Sequence, residues 1–168
     1  MPDKIASERR LVRISGRLKE LVIVKDAAGK VLHKLINPVM VEFYPRDLVQ
    51  VMIGATILAI PVAFTEETWN LGAKLPLVNV LALLLLSLVF ISIFVYYNYY
   101  RNDNIQRYHD EFIKRVLVTY LGSFLVVTMI LVIIKQAPWT SDAILALKRT
   151  IIVAFPASMS AAIADIIK

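Results

Sequence analysis

Few residues in this chain have types and neighbours suited to chemistry, and the most conspicuous are acids. Glu66 and Glu67 stand together in Thr65-Glu66-Glu67-Thr68-Trp69, directly after an apolar run. Paired carboxylates at such a place attract a cation, or form a charged ring at a pore mouth when several copies assemble. A solvated loop is the plainer reading. Just upstream, Pro61 lacks a backbone donor and should kink its segment or free a carbonyl. Asn79 belongs at the same membrane level. Ala154, Ser158, Ala161 and Asp165 are spaced 4, 3 and 4, which places them on one face of a helix. That stripe either packs closely against another helix or lines a narrow water-filled path ending at Asp165. Lys148 and Arg149 immediately precede the last apolar segment. They either snorkel outward or pair with Glu66 or Glu67, which would cancel the pull on cations.

The rest of the chain narrows the function classes. It contains no Gly-rich phosphate loop, no nucleophile–base pair and no His-Glu metal motif. There is no cysteine, and the two histidines, His33 and His109, are far apart. Neither a thiolate nor a His-rich metal site is expected, and no cofactor is called for. The protein is therefore not expected to be an enzyme. A lipid-acting intramembrane enzyme would need facing acids or histidines, which the sequence does not clearly supply.

Four long apolar segments must position these residues: Leu48–Phe64, Leu75–Tyr97, Val116–Ile134 and Thr150–Ile167. Each has about the 17–25 residues a helix needs to cross a bilayer core. The 168 residues are 58% hydrophobic and only 19% charged, with a mean hydropathy of +0.67. A soluble domain would be about a quarter charged. The expected class is an all-α integral membrane protein: four transmembrane helices over residues 47–168, with a small N-terminal β-hairpin or meander section in 1–46.

The net charge of +6 reports topology, not nucleic-acid binding. Ten of the 19 Lys and Arg lie in residues 1–46, and Arg101, Arg107, Lys114 and Arg115 lie between the second and third segments. The positive-inside rule then predicts cytoplasmic termini in a multi-pass protein of the plasma (inner) membrane. The charged first 20 residues do not resemble a signal peptide. Tyr96, Tyr97, Tyr99 and Tyr100 at one level, with Trp69 and Trp139 at the other, read as aromatic belts. Scattered polar residues in the spans, Gln50, Thr56, Ser87, Ser123 and Thr128 among them, are expected to bond across helices.

In the N-terminal section, Arg9, Arg13 and Arg17 recur every four residues while Leu11, Ile14 and Leu18 line another face. This spacing predicts a basic amphipathic helix over Ser7–Lys19. The apolar runs Leu21–Val24 and Val31–Ile36, parted by a Gly-containing linker, predict a hairpin. Alternation over Val39–Tyr44 predicts a third strand. Pro45-Arg46-Asp47 suits the first turn of the first membrane helix.

Two stretches carry a family resemblance. Met40-Val41-Glu42-Phe43-Tyr44-Pro45-Arg46-Asp47-Leu48, followed by Gly54-Ala55 and Ile60–Gly72, resembles the prokaryotic integral membrane family known as domain of unknown function 2391. Phe155-Pro156-Ala157-Ser158 fits it too. The resemblance covers most of residues 20–167 and implies a membrane fold without implying an activity. A Thr-x-Glu-x-Trp string in longer members of that family would correspond to Thr65, Glu67 and Trp69, which singles out Glu67.

From the residues, the leading expectation is a homo-oligomeric channel or ion-coupled transporter for inorganic cations in the lipid bilayer. Glu66 and Glu67 would attract cations, Pro61 and Asn79 would shape a constriction, and Ser158, Ala161 and Asp165 would line the other half. The competing class is a non-conducting scaffold, sensor or assembly subunit that docks a partner through residues 1–46.

Overall fold

Hydrocarbon leaves a spanning chain no water to satisfy its backbone, so each apolar segment must close its own hydrogen bonds as a helix. The computed structural model describes residues 6–14, 17–25, 31–38, 45–100 and 109–167. Four helices are long and apolar enough to cross a membrane: Pro45–Ala63 (α1), Leu77–Tyr99 (α3 with its terminal turn), His109–Ile133 (α4) and Ala143–Ile166 (α5). A short helix, Glu66–Lys74 (α2), joins α1 to α3. Regular α3 stops at Val95, and Tyr96–Tyr100 continues it as one π-helical turn. The chain divides into two units, Met1–Glu42 and Phe43–Lys168.

The first unit differs from expectation. Its described residues form a three-stranded antiparallel sheet of β1 (Ala6–Ile14), β2 (Arg17–Lys25) and β3 (Val31–Pro38), in that order. The basic helix expected over Ser7–Lys19 is therefore a correction: those residues supply β1 and the start of β2. Ile14 pairs with Arg17 and Val12 with Lys19, so the strands pair antiparallel with only Ser15-Gly16 between them in the sequence. Ser-Gly is a turn dipeptide, and that signal outranks a four-residue Arg spacing which is also compatible with alternation. The expected hairpin holds, with Leu21↔Ile36 and Val24↔His33 in register and an irregularity at Val24/Lys25. The strand expected at Val39–Tyr44 lies outside the described residues. Val31, Leu32, Leu35 and Ile36 on β3 are exposed.

In the second unit α5 is the central helix and packs against α1, α2, α3 and α4. Small residues make this close approach feasible where no hydrophobic force draws helices together. Val51, Ala55, Ala59 and Ala63 recur every four residues on α1 and meet Val153, Ala154, Ala157 and Ala161 of α5. Gly54 is the tightest point: a Cβ there would lie 2.3 Å from the Ala164 Cβ and 3.0 Å from the Ala161 Cα. Isoleucines and leucines such as Ile53, Ile57, Leu85 and Leu121 cover the exposed faces.

The connections have local causes. Asp142 caps α5 by accepting from the Leu145 N–H at 2.9 Å. α4 ends as Gln136 N–H returns to the Leu131 carbonyl at 2.8 Å and Lys135 N–H to Val132 at 3.0 Å, with Lys135 in the left-handed region at φ 57°. That is a Schellman ending with lysine where glycine is usual. Thr65, extended at φ −100°, separates α1 from α2.

Candidate functional site

The four spanning helices alternate in direction, so the start of α1, the end of α3, the start of α4 and the end of α5 share one end of the bundle. We call this the near end. It contains the most heavily buried charges among the described residues.

Arg115 sits in the second turn of α4 and is fully buried. Its Nη1 donates to Asp165 Oδ2 on the last turn of α5. Its Nη2 lies 3.7 Å from Asp47 Oδ2 in the first turn of α1. The guanidinium carbon lies 3.9 Å from the ring centre of Tyr99, which belongs to the π-helical turn after α3. The Tyr99 hydroxyl donates to the Asp165 carbonyl at 2.9 Å and lies 3.2 Å from Oδ2. One guanidinium thus joins all four spanning helices. Asp47 and Asp165 are each 1% exposed.

Each member is placed by its helix. Asp47 occupies a helix start, where the dipole favours an anion. The wider π turn, a feature frequent at functional sites, carries the Tyr99 ring over Arg115. Arg rather than Lys suits the spot, because a planar fork can serve two carboxylates while its face lies on a ring. Asp165 Oδ1 is buried with no hydrogen-bond partner among the described residues, as is Thr119 Oγ1. Arg115, Thr119 and Ser123 follow at four-residue intervals on α4, all at most 1% exposed. A polar track therefore enters the bundle from the near end. Beyond it, Val127 and Leu131 are fully buried and the track stops.

The opposite, far end holds most of the residues singled out by sequence. Glu66 and Glu67 are exposed in the first turn of α2, a favourable place for acids, rather than in a loop or at the end of α1. Pro61 is exposed in α1, and Asn79 is exposed at the start of α3 beside an open apolar groove with Leu71, Leu75 and Leu83. Lys148 and Arg149 lie within α5. Neither pairs with Glu66 or Glu67: Lys148 donates to the Ala73 carbonyl at 3.4 Å and Arg149 to the Trp69 carbonyl at 3.2 Å. Ser158, Ala161 and Asp165 do lie on one buried face, but Ser158 and Ala161 pack inside the bundle. Only Asp165 of the sequence-singled residues reaches the near-end cluster.

The hydroxyls require a second correction. Of the polar residues expected to bond across helices, Gln50 does so, donating to the Ile167 carbonyl at 3.1 Å, whereas Thr56, Ser87, Ser123 and Thr128 donate to carbonyls three or four residues back on their own helices. In a spanning helix that carbonyl is the nearest acceptor.

Arg115, Asp47 and Tyr99 were missed because each had an ordinary explanation. Arg115 counted as a loop base beside a segment expected to begin at Val116. Asp47 passed for a dipole-compensating acid, and Tyr99 for part of a belt. The signal lay in the topology: four alternating spans place residues 47, 99, 115 and 165 at one level.

Comparison with known families adds the class. The model of the integral membrane protein family DUF2391 matches residues 24–167. The chain belongs to this family. Membership accords with the four apolar helices and the bilayer as their surroundings. No curated protein and no solved structure matches the chain.

Proposed function

We propose that this DUF2391 member is a homo-oligomeric, ion-coupled transport protein for a small cation. The near-end cluster would be the element that ion binding or release rearranges. The observation that carries the reading is Arg115, fully buried between Asp47 and Asp165 within spanning helices. Ionisable groups in a membrane interior are costly, and they characteristically mark ion pathways, proton relays or counter-ion sites. The track through Thr119 and Ser123 gives the cluster an inward continuation.

The tight α1–α5 contact at Gly54 argues against an open pore between those two helices within one copy. The positive-inside asymmetry supports a cytoplasmic near end and a plasma-membrane location. Exposed Glu66 and Glu67 would then face the outside and concentrate cations without binding them tightly.

The test is flux into proteoliposomes under imposed potassium, sodium, calcium and proton gradients. Cation-dependent flux in the wild type, reduced at least tenfold in folded Asp165→Asn, is the expected result. Equal flux in Asp165→Asn would remove the cluster from transport.

A second reading is a non-conducting scaffold or assembly subunit. The exposed apolar residues of β3, Leu32 with Ile36 on one face and Leu35 on the other, favour it, since either face offers a partner an apolar contact. Absence of flux from intact wild-type protein would bring that reading forward.

A further inference from the structure

A separate feature of the far end is a cation surrounded only by neutral acceptors. Arg149, in the second turn of α5, donates through Nε to the Trp69 carbonyl at 3.2 Å. Its Nη1 donates to the Gln136 carbonyl at 2.8 Å and to Gln136 Oε1 at 2.9 Å. No carboxylate among the described residues pairs with it, and Nη2 has no hydrogen-bond partner among them. Lys148, its neighbour, reaches only the Ala73 carbonyl, at 3.4 Å. Asp142 is engaged as the α5 cap.

The chain makes room for this arginine. A Cβ on Gly72 would lie 2.5 Å from the Arg149 Cγ, so the α2 glycine lets the side-chain stem pass against the helix. Three hydrogen bonds then fix the guanidinium and leave the two Nη2 hydrogens over. A held guanidinium with uncommitted Nη2 donors can bond a phosphate oxygen, and the adjacent Lys148 ammonium adds a second positive charge.

Depth indicates where that phosphate would come from. Arg149 stands at the level of Trp69 and Trp139, at the mouth of the spanning helices, and tryptophans concentrate where lipid headgroups lie. Basic pockets between spanning helices on the cytoplasmic or matrix side receive anionic headgroups, and the same charge chemistry would serve at this end.

We infer that Arg149, with Lys148 beside it, forms a far-end site for a phosphate oxyanion, supplied by the headgroup of an anionic membrane lipid. The site would fasten α2 and the α4–α5 connection to the bilayer surface. It is independent of the transport reading and of the Arg115 cluster.

The two tryptophans, both at this end, make a local reporter. The full-length protein in neutral detergent is titrated with phosphatidylglycerol or phosphatidylcholine carrying brominated acyl chains, and Trp quenching is followed. The wild type should reach half-quenching at a several-fold lower concentration of the anionic lipid. Gln136→Glu is the decisive variant. It keeps the shape and the acceptor at Nη1 while supplying a half-buried counter-charge beside Arg149, so it should remove the preference without loosening the fold. Arg149→Gln should remove it as well, and Lys148→Gln should reduce it. Inorganic phosphate that fails to relieve quenching by phosphatidylglycerol assigns the site to the lipid. Relief at millimolar phosphate keeps the oxyanion site and assigns it to a free ligand. Equal quenching by the two lipids in the wild type, or a preference retained in Gln136→Glu, overturns the inference.

Discussion

Arg115 Nη2 lies 3.7 Å from Asp47 Oδ2, with the two side chains 0% and 2% exposed. The same guanidinium holds Asp165 from α5, so it is the shared counter-charge of two buried carboxylates. Removing one partner of a buried pair costs about 3–5 kcal/mol, because the remaining charge is stranded. Arg115→Met should therefore destabilise the protein by roughly that amount. Arg115→Met combined with Asp165→Asn should recover part of the loss. Loss of helicity on denaturant titration in micelles measures both. An unchanged midpoint for Arg115→Met would show that the cluster does not hold the near end together.

Gly54 and Ala164 make the second prediction. A Cβ at Gly54 would meet the Ala164 Cβ at 2.3 Å and the α5 backbone at 3.0 Å. Overpacking of this kind costs about 1–3 kcal/mol. Gly54→Ala should lower the thermal midpoint in detergent, and Ala164→Gly in the same chain should restore much of it. Restoration is the informative part, since it identifies the clash and not helix propensity as the cause.

These two contacts show how far the sequence could be read. The four spans were legible because apolar length alone specifies them, and Ala161 already belonged to a small-residue stripe, although Gly54 opposite it did not. Their edges were not legible, because a helix continues through charges whenever a partner helix satisfies them. α4 starts at His109 instead of Val116, which takes Arg115 inside it, and α5 starts at Ala143 because Asp142 caps it. The basic residues of β1 misled for a related reason: Arg9 and Arg13 fit a four-residue spacing and an alternating one equally well. Pairing of Ile14 with Arg17 decided between them.

Lys135 offers a stabilising change. It occupies the left-handed position, φ 57°, that ends α4. A side chain there is strained and glycine is not. Lys135→Gly should raise stability by roughly 0.5–1 kcal/mol, less whatever the lost positive charge gave the helix end. Lys135→Val, β-branched at the same φ, should lower it. Thermal midpoints in one detergent suffice, and a Gly variant less stable than Val would contradict the assigned backbone.

Trp69 ties the end of α1 to α2 in a way that separates it from the other tryptophan. Its indole Nε1 donates to the Ala63 carbonyl at 2.7 Å, supplying a donor to a helix end whose last carbonyls lack helical partners. Trp139 is 37% exposed, and its indole makes no such bond among the described residues. Trp69→Phe keeps an aromatic ring at the interface but removes the donor, and a hydrogen bond of this kind contributes about 1 kcal/mol. The expected result is a loss of about that size, with faster amide exchange across residues 64–69. Trp139→Phe should stay within about 0.5 kcal/mol of the wild type. Equal effects from the two substitutions would mean that both rings act only as interfacial anchors and that α2 is held mainly by Arg149.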